Sequence, residues 1–400
     1  MMPKKSFSKL SMAVYFFLFL GLSLITKAVG LMVDYFWFNE VGLSNVFLVS
    51  FLSKWGLGIS CAVSAWLVLF LNLRLAQKRA KKEVLVLSEE EAVEIPNLEA
   101  FREAAPRILL LGSFAAAYFI GTWASSNYWQ DVLKFWQASP FGTQDPILHR
   151  DMGFYVFTVP FYKFLQGLFQ GVLILSGLMT IAVYVLSGKL LLTTRGIRTT
   201  PHARDHLVVL GGLLCLVAAF HFQFKIYDLL NIQRAVAPGP GYADLNAYLP
   251  ALKLLRLAAF VSALLFWISS FSRLRLVLVG AGLLIGGSLL AAVYSGIIQR
   301  FIVAPNEIVK ETPYIRWAIQ HTREAFGIDK VQELEFDPIE NLTPQALRRN
   351  DLTVKNIRLW DHAPLQTTYS QLQEIRTYYD FLSVDNDRYQ INGEYRQVML

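Results

Sequence analysis

The chain repeats long apolar runs, and that repetition restricts what it can fold into more than any other feature. A bilayer core needs roughly 20 consecutive apolar residues in helical form. Runs near that length lie at about 12–33, 54–73, 107–124, 161–186, 205–224, 252–270 and 275–298. They predict a polytopic α-helical membrane protein with about seven transmembrane helices. Composition agrees. The chain is 54% hydrophobic, above the roughly 45–50% of soluble domains. Val41 to Phe51 is too short to span and is expected to lie along the interface or to extend the second helix. The first run begins like a signal peptide, with Lys4, Lys5 and Lys9 and small residues at Ala28 and Gly30. Its apolar centre outruns a usual signal core, which predicts a retained helix.

Loop charges give a direction. With the N-terminus in the cytoplasm, 16 Lys and Arg fall in cytoplasmic segments, among them the loop 74–106, and four fall outside: Lys134, Arg150, Lys225 and Arg234. Basic residues collect in cytoplasmic loops. An odd number of spans then places residues 299–400 outside the cell, and a plasma membrane is the expected location. The net charge of +7 is no sign of nucleic acid, because residues 301–400 hold 11 Lys and Arg against 15 Asp and Glu. The acidic run "EVLVLSEEEAVEIPNLEAF" reads as a solvated surface. Cys61 and Cys215 lie inside apolar runs and read as small buried hydrophobes.

The last run reads "LVGAGLLIGGSLLAAVYSG". Gly282 and Gly286, with Ala281, Gly287 and Ala291, form a small-residue step that predicts close helix packing inside the bundle, with a homo-oligomer seam as the alternative. Beyond it, "APNEIVKETPYIRWAIQHTREAFGI" predicts a helix capped by Asn306, with Ile315, Ile319 and Phe326 on one face. Thr343 is expected to cap a helix starting at Pro344. Leu372, Ile375 and Tyr379 mark a further helix, and Asn392-Gly393 a β-hairpin. Residues 299–400 thus make a small α+β extracytoplasmic domain after a transmembrane bundle at 1–298. The sequence ends inside the second strand, so that domain is expected to be the front of a longer one.

Five blocks carry a resemblance: "RDMGFYVFTVPFY", "QRFIVAPNEIVKETPYI", "NIRLWD", "QLQEIRTYYDF" and "DRYQINGEYRQVML". With them the chain resembles uncharacterised protein family 0182, large multi-pass membrane proteins of bacteria and archaea. The resemblance implies about seven N-terminal helices followed by a large outer region. It supplies no reaction and no catalytic residues.

Candidate chemistry is sparse. His149-Arg150-Asp151 matches the kinase catalytic triplet, but Val156 stands where magnesium needs an asparagine. The triplet reads instead as the polar lip of the fourth helix, with a break at Gly153, an aromatic belt from Phe154 to Tyr162, and Pro160 in the first turn. Asp145, His149 and Asp151 lack the pattern of a metal motif. Asp385 and Asp387 have EF-hand spacing, but Tyr389 replaces the third ligand. "VAPGPGY" reads as a turn. No cofactor fingerprint appears, and none is expected. Lys27, Lys163, Lys225 and Arg256 lie within or near the outer ends of spans, as do Lys54, His221 and Lys253. Snorkelling and pairing with Asp34 or Asp228 account for most of them. Convergence of Lys27, Lys163, Lys225 and Arg256 would create a site for anionic lipid headgroups. The expected partners are the bilayer, such headgroups and other envelope proteins. The expected function is envelope scaffolding or lipid handling at the outer face. An outer-leaflet enzyme acting on lipid or wall precursors, or a transporter, is the alternative.

Overall fold

The computed structural model describes residues 9–81, 99–193, 196–232, 239–269, 275–336, 342–358, 360–373 and 380–400. It divides into two compact units, Met1–Ala325 and Phe326–Leu400. The first unit is built from α1 (Lys9–Glu40), α2 (Ser44–Ala80), α3 (Glu99–Trp136), α4 (Val159–Leu186), α5 (Pro201–Asp228), α6 (Leu249–Ser269), α7 (Arg275–Ile298) and α8 (Glu307–Phe326). A two-stranded hairpin, β1 (Leu190–Thr193) with β2 (Gly196–Thr199), joins α4 to α5.

Six helical stretches among the described residues are long and apolar enough to cross a membrane: Ser44–Ala80, Ala105–Trp136, Phe154–Leu186, Pro201–Asn231, Asp244–Ser269 and Arg275–Phe326. They contain the second to seventh expected runs. The first run lies in α1, whose side chains before residue 25 fall outside the described set. Of Val41 to Phe51, Ser44 to Phe51 extends α2, the second of the two expected places, and Val41 to Leu43 form the turn before it. The acidic run after α2 and the residues Ile375 and Tyr379 lie almost wholly or wholly outside the described residues.

Small residues let the helices meet. A Cβ on Gly121 of α3 would fall 2.5 Å from the Gly58 carbonyl oxygen and 2.7 Å from Ala62 Cβ of α2. Gly211 and Gly212 of α5 likewise receive the rings of Phe266 and Trp267 from α6. Apolar clusters fill the spaces between. Ala65, Leu69, Ala117 and Val172 join α2, α3 and α4. Cys61 packs with Ala124 and Phe164, and Cys215 is also a buried free thiol, as expected of both cysteines.

Three expectations need correction. Gly282 and Gly286 face open space, while Gly280, Gly287 and Ala291 make the packing face of α7. Gly280 meets Phe266, and Gly287 meets Leu255. The step shifts because a helix turns 100° per residue, and α6 covers only the side bearing 280, 287 and 291. Asn306 caps no new helix. The chain stays helical from α7 through a π turn (Gln299–Val303) and a 3₁₀ turn (Ala304–Asn306) into α8. Gly153 is no break either: its φ is −60°, and the chain winds through a π turn (Phe154–Thr158) into α4. Pro160 does sit in the first turn of α4, where its missing N–H costs little.

In the second unit, α9 (Pro344–Arg349), α10 (Asp351–Lys355) and α11 (His362–Gln373) precede a hairpin of β3 (Asn386–Ile391) and β4 (Glu394–Met399). Thr343 Oγ1 accepts from Ala346 N at 3.2 Å, the expected cap. Asn392 and Gly393 turn the hairpin with φ of 52° and 81°, the positive pair a two-residue turn demands. Asn356, just after α10, accepts from Gln397 N at 2.6 Å and so ties α10 to β4.

The crossing of α2 and α3 yields a prediction. Gly121→Val should lower stability by about 2 kcal/mol through overpacking. Gly112→Ala, on the same helix where a Cβ meets nothing within 4 Å, should not lower it. Thermal unfolding of both variants in detergent checks this.

Candidate functional site

The end of the first unit where α4 and α6 begin and α5 and α7 finish holds Asp145, Asp151, Lys163, Lys225, Asp228 and Arg256. The loop before α4 is organised by two carboxylates. Asp145 is 2% exposed. Its Oδ1 accepts from the amides of Ile147 at 2.9 Å and Leu148 at 2.6 Å, and its Oδ2 from Arg150 N at 2.9 Å and Tyr155 Oη at 2.7 Å. Burial alone would push the Asp145 carboxyl up, but these four donors hold it below its ordinary value. Asp151 accepts from the amides of Phe141 at 3.0 Å, Gly142 at 2.8 Å and Gly153 at 2.7 Å, and the Phe141 bond leads in holding it low. A Cβ at Gly153 would lie 2.5 Å from the Ser139 carbonyl oxygen, so glycine is needed for close approach there. His149 adopts a positive φ of 54° in this loop.

The His149-Arg150-Asp151 triplet is therefore a backbone clamp. Both carboxylates, drawn at first sight into a metal or catalytic reading, spend their oxygens on amide donors. Arg150 lies over the Phe154 ring at 5.6 Å, and Phe154 meets Tyr227 of α5 edge-on at 5.3 Å. The aromatic belt thus fastens the π turn to the end of α5. A second clamp sits close by in sequence to another π turn, Asp244–Tyr248. The Tyr242 amide donates to both oxygens of Glu311 on α8, at 3.2 and 3.1 Å. Asn246 Nδ2 donates to Tyr314 Oη at 2.9 Å, and Lys310 lies 4.9 Å above the Tyr242 ring. Of "VAPGPGY", only the last four residues are described, and Gly241 lies against the Glu311 carboxylate.

The predicted cations are placed as follows. Lys163 of α4 forms an ion pair with Asp228, the last residue of α5. Arg256 of α6 donates to Gln223 Oε1 of α5. Gln223 and Asp228 are five residues apart, about 140° around the helix, so Lys163 and Arg256 approach α5 from different sides. Lys225 is exposed, and its charge reaches His221 together with those of Asp228 and Lys163. Lys27 is exposed on α1. Lys54 lies 4.8 Å over the Trp129 ring. Pairing with Asp228 is thus realised for Lys163, and α5 links two of the four predicted residues.

Sequence reasoning missed a polar seam at the opposite end. Asn72 of α2, Ser176, Thr180 and Tyr184 of α4, and His206 of α5 meet there. Ser176, Thr180, Tyr184 and His206 are all buried. The spacing of 176, 180 and 184, one turn apart on a single face, is the signal that would have exposed it.

The fold defines a helical protein whose long helices are apolar enough to cross a membrane, followed by a small second unit with a two-stranded sheet. The chain belongs to the uncharacterised protein family UPF0182, whose model matches residues 11–400. A UPF0182 protein of Geobacter sp. (strain M21) is 38% identical over 377 residues, covering 92% of this chain and 41% of the relative. Another, of Geobacter sulfurreducens, is 35% identical over 408 residues, covering 100% of this chain and 44% of the relative. A third, of Moorella thermoacetica, is 38% identical over 382 residues, with coverage of 92% and 41%. The chain thus spans less than half the length of these relatives. No solved structure matches it.

The Asp145 clamp gives a prediction. In Asp145→Asn, an NH₂ would face the Arg150 amide or the Ile147 and Leu148 amides, donor against donor. The variant should lose about 1–3 kcal/mol. Because the native carboxyl is held below its ordinary value of 3.8, its stabilisation is fully present above that pH and is lost as pH falls through the lower native value. Thermal unfolding against pH should show this acid limb in the wild type and a smaller one in Asp145→Asn.

Proposed function

We propose that the protein is a multi-pass plasma-membrane protein of the cell envelope that holds anionic lipid headgroups at its outer face. The observation that carries this reading is the set of cations at one end of the bundle: Lys163 and Arg256, joined to α5 from different sides, with exposed Lys225 between them in sequence. Faces bearing Leu278, Ile285 and Leu290, each about 70% exposed, suit a hydrocarbon surrounding rather than water. On this reading α1 is a seventh span, the N-terminus is cytoplasmic, and the unit from Phe326 to Leu400 is extracytoplasmic. The 16-to-four distribution of basic loop residues supports that direction. Asp228 neutralises Lys163 in part, so Lys225 and Arg256 supply most of the attraction, with Lys27 on α1 as a separate contact. The second unit offers a folded surface for other envelope proteins.

Two measurements test this. A reporter fused after Leu400 should be active outside the cell; activity confined to the cytoplasm overturns the orientation. Native mass spectrometry of the detergent-purified protein should show phosphatidylglycerol retained over phosphatidylcholine. At about 1 kcal/mol per basic residue near a membrane surface, Lys225→Ala with Arg256→Ala should weaken that binding roughly tenfold or more. Equal retention of both lipids, unchanged by the variants, overturns the headgroup reading.

A further inference from the structure

Among the described residues, one long face of α4 is covered by no other helix. Gly167, Gln170, Ile174, Leu178, Ile181 and Val185 are all exposed, at steps of 3, 4, 4, 3 and 4 residues. Such steps follow the 3.6-residue turn and draw one straight stripe along the helix. Val172, Ser176, Thr180 and Tyr184 are buried on the side that packs into the bundle.

Most of this stripe is apolar and suits lipid. Gln170 does not. It is the central residue of the span Phe154–Leu186, with 16 residues on either side. Roughly 24 Å of helix therefore separates it from each end. With α4 spanning a membrane, lipid at that level offers acyl chains and no hydrogen-bonding group. Gln166, one turn nearer the helix start, donates from Nε2 to Gln170 Oε1 at 2.6 Å. Gln166 is left with its carbonyl oxygen and Gln170 with its NH₂, neither with a further partner among the described residues. Reversing both amides exchanges these roles and still leaves one donor group and one acceptor.

We propose that this face of α4 is the seam of a dimer, occupied by α4 of a second copy. A two-fold axis along the membrane normal sets the two helices side by side and parallel. The NH₂ of each Gln170 then meets the carbonyl oxygen of Gln166 in the other copy. One contact, made twice, satisfies both leftover groups, which is the self-complementarity that a two-fold interface requires. Lipid tails supply neither group, whereas amide side chains bond across helices in a bilayer. Gly167 and Gly171 leave room for the approach, since a Cβ on either would meet nothing within 4 Å. Lys163, at the head of the stripe, is already paired with Asp228, so the two copies do not oppose bare charges there. Ile174, Leu178 and Ile181 continue the contact toward the other end of α4. The seam rests on the membrane-spanning reading of α4 and uses neither Lys225 nor Arg256.

The test uses the full chain in phosphatidylcholine vesicles washed with alkali. Chain stripped off by the wash would sink the membrane-spanning reading, and the seam with it. For retained chain, energy transfer between copies labelled at the N-terminus is followed as added lipid dilutes the protein. Wild type should pass from dimer to monomer. Gln166→Leu with Gln170→Leu should weaken the dimer roughly tenfold or more. A wild type monomeric at every dilution, or a dimer equally strong in the variant, overturns the seam and leaves the membrane-spanning reading standing. A second measurement leaves both glutamines in place. A disulfide needs Cα atoms within about 7 Å, so copper phenanthroline oxidation should link two copies of Ile174→Cys. Ile285→Cys, at a position of α7 that is 73% exposed, should link far less. Equal or greater linking through Ile285→Cys, or none through Ile174→Cys, overturns the proposal.

Discussion

A polar group buried in apolar surroundings must find its partner within the protein, because leaving it unpaired costs several kcal/mol. The helical unit depends on that constraint. Its long helices satisfy their own backbones. The groups they cannot satisfy concentrate at the two ends, and each end uses different chemistry. Where α4 and α6 begin, carboxylates do the work: Asp145, Asp151 and Glu311 collect backbone amides that no helix could use. Where α2 and α4 finish, neutral groups do it: an amide, a hydroxyl, a phenol and an imidazole close a chain of hydrogen bonds.

The long elements were legible from the sequence, and particular residues show why. Apolar length is a property of a run by itself, so six of the expected spans could be read without knowing what surrounds them. Thr343, Pro160 and Asn392-Gly393 were legible for the same reason, since a cap, a first-turn proline and a two-residue turn are local devices. Whatever depended on a second helix was not. Gly282 and Gly286 look like packing residues until α6 is seen to cover Gly280 and Gly287 instead. Asn72 and His206 are 134 residues apart, and nothing in either neighbourhood announces the other.

The candidate site was legible only in part. Lys163 and Asp228 were foreseen as a possible pair, because both lie at span ends expected on one side. The triplet at His149 attracted attention for its letters, yet its carboxylate acts through backbone amides, a role that residue type alone does not disclose. Glu311 lies in the second turn of α8 and carries no local signal of its role. Its actual use, receiving the Tyr242 amide, depends on a loop 69 residues earlier.

The three π turns among the described residues draw these observations together. They lie at Phe154–Thr158, Asp244–Tyr248 and Gln299–Val303, at the starts of α4 and α6 and the end of α7, hence at one end of the unit. A π turn widens the helix by one residue and redirects the side chains that follow. The first passes Tyr155 to Asp145 and Phe154 to Tyr227. The second passes Asn246 to Tyr314. The third leads through its 3₁₀ turn to α8, which carries Glu311 back to Tyr242. Each irregular turn thus adjoins a clamp, and the clamps fasten loop to helix and helix to helix at the end that also bears Lys163, Lys225 and Arg256. An end tied so firmly can hold charges at set positions. The opposite end is joined instead by neutral groups, with Asn72, Thr180, Tyr184 and His206 bonded in series across three helices.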